Sequence, residues 1–181
     1  MTEISLHILD IAQNSVKAKA KNIGIEICED IEKDVFSVVI SDDGSGMDEE
    51  FLKNVTDPFR TTRTTRRVGM GLSLFKNAAE LTGGSFEIIS KLGVGTRVTA
   101  RFVHSSIDRQ PLGDIASTIT TLIGSDENID YKYTHIYNGE KFEFDTVMIK
   151  EVMQGVSLNT PEVLLWIEEY INEGLKSITE V

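Results

Sequence analysis

The stretch VFSVVISDDGSGM, residues 35–47, decides the fold. Its first seven residues form an apolar, largely β-branched run suited to a central strand, and two aspartates with two glycines then end it in a turn. Just upstream, residues 22–28 alternate Ile23, Ile25 and Ile27 with Gly24 and Glu26, the period of a half-buried strand. Before that, residues 4–20 place Ile4, Ile8, Ile11 and Ser15 on one helical face, with Leu9 and Val16 beside it. Downstream, a short helix is expected over 49–55. Residues 57–70 then lose apolar periodicity, become rich in Thr and Arg, and read as a mobile loop. Helical spacing returns over 71–81 and stops at Gly83-Gly84. Strands are expected over 85–90 and 96–103, joined through Gly93 and Gly95.

Composition changes after Val103. Residues 104–111 read as a linker and 114–123 as a short helix. Asn138-Gly139 between alternating runs is the sequence of a two-residue type I′ hairpin. That register sets Tyr137 opposite Glu140, His135 opposite Phe142 and Tyr133 opposite Phe144. A last helix is expected over 161–176, with Thr160 as N-cap and Pro161 at the first helical position. Its stripe of Val163, Trp166, Ile167, Tyr170, Ile171 and Leu175 needs a packing surface. The expected division is therefore residues 1–103 and a C-terminal extension, 104–181, either packed on the first sheet or forming a small module.

The 181 residues carry a formal net charge of −11 and a pI near 4.7, which argues against a binder of duplex nucleic acid. The lone cysteine, Cys28, excludes a disulfide framework. The N-terminal run has early acids and interior polar residues, so it does not read as a signal peptide, and no apolar stretch is long enough to cross a bilayer. A cytoplasmic location is the expectation, with no membrane and no nucleic-acid partner.

Four groups of residues carry potential chemistry. Asp10, Asn14 and Lys17 sit at i, i+4 and i+7 of the first helix, so a carboxylate, an amide and an ammonium share a face. On a helix such residues are commonly a solvated side, but the amide oxygen also suits Mg²⁺ and the ammonium a phosphate. Asp42 closes the apolar strand, where its carboxylate can accept from an exocyclic amine; Gly44, Gly46 and Met47 complete the turn, the glycines allowing close approach. Gly69-Met70-Gly71-Leu72 opens a helix, whose N-terminal N–H groups suit an anion. Just before it, Arg60, Arg63, Arg66 and Arg67 bring four positive charges with no acid between Pro58 and Ala79. Finally, Gly93-Val94-Gly95-Thr96 reads as a hairpin turn into a strand.

Taken in order, these groups resemble the nucleotide site of the GHKL (gyrase, chaperone, histidine kinase, MutL) superfamily over residues 3–103. The resemblance implies an α/β (α+β) two-layer sandwich of the GHKL or Bergerat type, with a mixed sheet and helices on one face, binding ATP and Mg²⁺. It gives Asn14 the role of the Mg²⁺ ligand, places Lys17 near the phosphates, and makes Asp42 the reader of adenine. Thr96 would assist Asp42, Gly69, Gly71 and Leu72 would form the phosphate loop, and Asp57-Pro58-Phe59 would begin a lid carrying Arg60 and Arg63. Hydrolysing members carry glutamate where this chain has Asp10, which is one methylene shorter. No histidine lies in the helical-hairpin context of a phospho-acceptor, and the tail is short for a transducer domain, with Lys141 and Lys150 weighed as substitutes for its phosphate-sensing lysine.

Three functions follow as expectations. The first is a regulatory switch or slow ATPase that presents a partner surface through residues 104–181. The second is a protein kinase resembling the anti-sigma kinases, and the third a non-catalytic sensor of ATP or ADP.

Overall fold

A computed structural model describes residues 1–57 and 70–180 of the chain. The described residues form α1 (Ile4–Lys17), β1 (Asn22–Asp30), β2 (Val35–Asp42), α2 (Glu49–Asn54), α3 (Gly71–Leu81), β3 (Ser85–Lys91) and β4 (Gly95–Val103). They continue with α4 (Ile115–Ser125), β5 (Asp130–Tyr137), β6 (Glu140–Asp145), α5 (Thr146–Met153) and α6 (Pro161–Thr179).

The six strands make one mixed sheet in the order β3-β4-β2-β1-β5-β6, in which β1 and β5 run parallel and every other pair is antiparallel. Period-2 alternation sorts its faces. Ile23, Ile25 and Ile27, Phe36, Val38 and Ile40, Val98, Ala100 and Phe102, and Tyr131 and Tyr133 are all buried on one face. The other carries Glu26, Ser37, Ser41, Arg97 and Arg101. Helices α1, α3, α4 and α6 cover the apolar face, giving the two-layer α/β sandwich expected.

Residues 104–181 are continuous with this body. β5 pairs with β1 from Asn22 to Glu29, and Ile115, Ile119, Leu122, Ile167 and Ile171 join the core cluster of α1 and the central strands. The segment after β4 also serves α1 directly: Pro111 and Leu112 carbonyls accept from the Ile4 and Ser5 amides at 2.9 and 2.8 Å. Those are N–H groups that a helix start leaves without an internal partner.

Local chemistry explains the boundaries. Asn138 (φ 47°) and Gly139 (φ 87°) both take the positive φ of a type I′ turn, and the β5–β6 register matches the predicted pairs Tyr137–Glu140, His135–Phe142 and Tyr133–Phe144. Thr160 caps α6 by accepting from the Val163 amide, with Pro161 at the first helical position. α1 ends at Lys17, three residues before the expected 20, because Lys19 turns to φ 58°.

α5 was absent from the expectation. β6 runs straight into it with no glycine or proline between, and Asp145 is both strand end and N-cap, accepting from the Val147 amide. On α6, Val163, Ile167 and Ile171 are buried as expected. Trp166 and Tyr170 stay 45% and 40% exposed, stacked on each other at 5.4 Å, so the buried stripe is narrower than the sequence suggested.

Candidate functional site

On the helix side of the sheet, α1, the ends of β2 and β4, the loop after β2, and the first turn of α3 enclose a cavity of about 370 Å³. Asn14, Lys17, Asp42, Gly46, Met47, Leu72 and Thr96, chosen from sequence for separate reasons, all line it.

The floor is a row across three strands. Asp42 on β2 is the register partner of Thr96 on β4, which in turn partners Ser90 on β3. The Asp42 carboxylate is held at both oxygens: Oδ2 accepts from the Ser15 hydroxyl at 2.6 Å and Oδ1 from the Gly44 amide at 2.9 Å. Each oxygen keeps acceptor capacity for a donor in the cavity. Asp43, one residue on, faces the other way. It accepts from the Asn22 side chain and from the Lys21 and Asn22 amides, which hold its carboxyl below the usual range. The two adjacent aspartates thus divide into one facing the cavity and one closing a turn.

Glycine makes the close approaches possible. A Cβ on Gly95 would lie 2.0 Å from the Asp42 carbonyl oxygen, and one on Gly46 (φ 67°) would lie 2.0 Å from the carbonyl oxygen of Lys91. The loop after β2 is pinned at three places. Ser45 N donates to the Ala18 carbonyl, Gly93 N to the Ser45 carbonyl, and Met47 N to Ser90 Oγ, at 2.9, 2.7 and 2.9 Å. This loop therefore bridges the end of α1 and the β3–β4 turn, forming one wall.

Asn14 and Lys17 project from α1 into the cavity with no side-chain hydrogen bond or ion pair to the described residues. A half-buried amide and an ammonium left open beside an oriented carboxylate fit a polar ligand and a hard cation shared with it. Among the described residues, no group of three His, Cys, Asp or Glu converges to hold a metal by itself. A cation held at Asn14 would therefore take its remaining ligands from water and from what it binds alongside.

Asp10 and Gly71 occupy one position. The Asp10 Oδ2 atom lies 1.6 Å from where a Cβ of Gly71 would be, so this carboxylate rests on the first residue of α3 rather than in the cavity lining. Gly44 also stays outside the lining and acts through its amide on Asp42. Arg60, Arg63, Gly69 and the Pro58-Phe59 start of the expected lid lie outside the described residues. Lys141 and Lys150 do not reach the cavity: they pair with Glu143 and Asp130, each at 2.7 Å.

Sequence reasoning missed Ser15 and Ser90. Both occupy apolar-phase positions, Ser15 on the Ile4-Ile8-Ile11 face of α1 and Ser90 after Phe86 and Ile88 on β3. A hydroxyl where the pattern calls for a hydrocarbon was the available signal.

Comparison with known proteins identifies the family and a shared fold. Residues 2–106 match the family described as histidine kinase-, DNA gyrase B-, and HSP90-like ATPase. The histidine protein kinase DivJ of Caulobacter vibrioides is 30% identical over 98 residues, 52% of this chain, and the sensor histidine kinase YvrG of Bacillus subtilis is 29% identical over 93, or 49%. The aligned stretch spans 16% of the length of each kinase. Among solved structures, the MutL ATPase domain of Aquifex aeolicus complexed with ADP superposes with a TM-score of 0.51 at 16% identity, covering 85% of this chain and 70% of that one. The N-terminal domain of a DNA repair protein gives 0.54, also at 16% identity, over 79% of this chain and 52% of that one.

Proposed function

This chain belongs to the histidine kinase-, DNA gyrase B-, and HSP90-like ATPase family, and from that premise we propose that its cavity binds ATP and ADP with Mg²⁺, the bound nucleotide acting as a regulatory switch or being slowly hydrolysed. The observation that carries the reading is the set of unequal groups on one cavity. Asp42 is a carboxylate fixed at both oxygens, while Asn14 and Lys17 are open to the same space. A carboxylate reads the amino group of an adenine, an amide oxygen would hold the hard cation, and an ammonium meets phosphate. Asp10 supports slow rather than fast turnover, because its short side chain rests against Gly71 and not on the cavity wall.

The test is titration calorimetry with ATP, with and without Mg²⁺, on the parent chain and on Asn14→Ala. Alanine favours a helix, so the variant is expected to stay folded while Mg²⁺-dependent affinity disappears. An Mg²⁺-independent affinity, or unfolding of the variant, would make Asn14 structural.

A second reading, transfer of phosphate to a partner protein, draws on the likeness to the two histidine kinases. In either reading residues 104–181 supply the partner surface, and the exposed Trp166–Tyr170 stack on α6 is the part of it best suited to contact. Radiolabel passing from ATP to a co-purified protein would favour the kinase; free phosphate alone would favour the switch.

A further inference from the structure

We propose that the free edge of β6 pairs with β6 of a second copy of this chain, making a two-fold dimer with one continuous sheet. The inference takes from the reading above only that the Trp166–Tyr170 stack is a contact surface, and gives that surface its occupant.

β6 ends the sheet, paired on one side with β5. Residues flanking a two-residue turn exchange hydrogen bonds, so Tyr137–Glu140, and by alternation His135–Phe142 and Tyr133–Phe144, are the bonded pairs. The backbone N–H and C=O of Lys141 and Glu143 therefore point away from β5, and no other backbone group among the described residues takes them. α5 leaves the strand at once: its first residue, Thr146, accepts from the Tyr131 amide, which turns the helix back toward β5. An antiparallel partner must meet the outward groups with outward groups of its own. A two-fold axis at Lys141 or at Glu143 would set like charges directly opposite. An axis at Phe142 instead sets Lys141 of each copy against Glu143 of the other, the favourable cross-strand arrangement. Within one copy those side chains already meet at 2.7 Å, so around the axis the charges alternate in sign.

The helix layer fits the same axis. α4 packs on one flank of α6, where Leu164 lies against Gly124, and helical spacing puts Trp166 and Tyr170 on the opposite flank. Tyr170 there stacks over the edge strand, 5.8 Å from Phe142 and 6.3 Å from Phe144. An axis through the strand edge, perpendicular to the sheet, keeps both helix layers on one side. α6 touches both β5 and β6, and so lies over that pair. With strands about 4.8 Å apart, the axes of α6 in the two copies would fall about 10 Å apart, a separation at which helices pack. Trp166 and Tyr170 of both copies would then be covered between them, above the Phe142 pair.

Sedimentation equilibrium from low to high micromolar concentration tests the pairing, followed in parallel by the emission of Trp166, the chain's one tryptophan. The parent should dimerise, and its emission should move to shorter wavelength as concentration rises. Lys141→Glu and Glu143→Lys, both at exposed positions, should stay folded. Each should weaken self-association by roughly tenfold or more, because the symmetry turns both cross-strand pairs repulsive at once. The double variant Lys141→Glu/Glu143→Lys should recover it, and mixing the two single variants should give a heterodimer in native mass spectrometry. Calorimetric ATP affinity should be alike in all of them, since neither residue lines the cavity; loss of the dimer and loss of nucleotide binding are thus separate results. A parent that stays monomeric overturns the proposal and leaves the surface to a different protein. So does a dimer whose strength ignores both single substitutions, or one that leaves Trp166 emission unchanged, since its interface lies elsewhere.

Discussion

Replacing Asp42 by asparagine tests the adenine assignment with little disturbance of the fold. The two bonds that orient the side chain have counterparts in the amide. Its oxygen still accepts from Gly44 N at the 2.9 Å position, and its NH₂ donates to Ser15, whose hydroxyl accepts as readily as it donates. Thermal stability should therefore move little. Binding should not survive as well, because the negative charge is gone and an NH₂ group occupies the site of one carboxylate oxygen. A charge-assisted hydrogen bond contributes about 1.5–3 kcal/mol. At 1.4 kcal/mol per decade, the dissociation constant for ATP or ADP should rise by about 10- to 150-fold. Calorimetric titration of both nucleotides with Mg²⁺, alongside a melting curve of each variant, reads the two effects separately. A folded Asp42→Asn protein with parental affinity would refute the placement of adenine at this carboxylate and, with it, the argument that the cavity floor reads the base.

Two further outcomes follow from packing and charge. Gly71→Ala should cost about 1 kcal/mol or less in denaturant unfolding, since its Cβ would overlap only Asp10 Oδ2, the end of a side chain that can turn aside; Asp10→Ala in the same chain should remove that cost, and strictly additive effects in the double-mutant cycle would show that the two residues are not in contact. Glu29 is pushed upward by burial, but hydrogen bonds from His135 and His104, at 2.9 and 3.0 Å, hold its carboxyl below the ordinary range. A depressed folded-state value means that Glu29 contributes stability above its unfolded pKa, near 4.3, and loses it as pH falls through the lower folded value. Melting temperatures of the parent should therefore drop more steeply than those of Glu29→Gln as pH is lowered below about 4.5; parallel curves would count against the Glu29 linkage.

The Glu29 cluster also shows how the C-terminal segment is tied in. His104 leaves β4, His135 lies on β5, and both meet a carboxylate at the far end of β1; His135 Nδ1 is 2.7 Å from the hydroxyl of buried Tyr133. The local sequence around each of these residues is unremarkable for a polar contact, and no spacing rule connects positions 29, 104 and 135. Parallel pairing of β1 with β5 brings His135 to Glu29, and the antiparallel β1–β2 and β2–β4 pairings bring the end of β4, and with it His104, to the same place.

Much of this protein was determined by sequence alone. Periods of 2 and 3.6 placed α1, α3 and the four strands before residue 104 within a few residues, because alternation of apolar and polar side chains is a local property. Asn138-Gly139 specified its hairpin down to the facing pairs, since a type I′ turn fixes register by itself. Asn14, Asp42 and Thr96 were legible because their order along the chain matched a known pattern. Tertiary structure decided the rest. Whether residues 104–181 stand apart or extend the sheet depends on β5 meeting the edge of β1, a pairing between residues about a hundred positions apart that no local pattern encodes. Asp10 and Gly71 each suggested chemistry of their own, yet the crossing of α1 and α3 places one against the other. Ser15 and Ser90 looked like lapses in apolar stripes until Asp42 and Thr96 were set beside them, because a hydrogen bond across elements is a matter of distance in space rather than spacing in sequence.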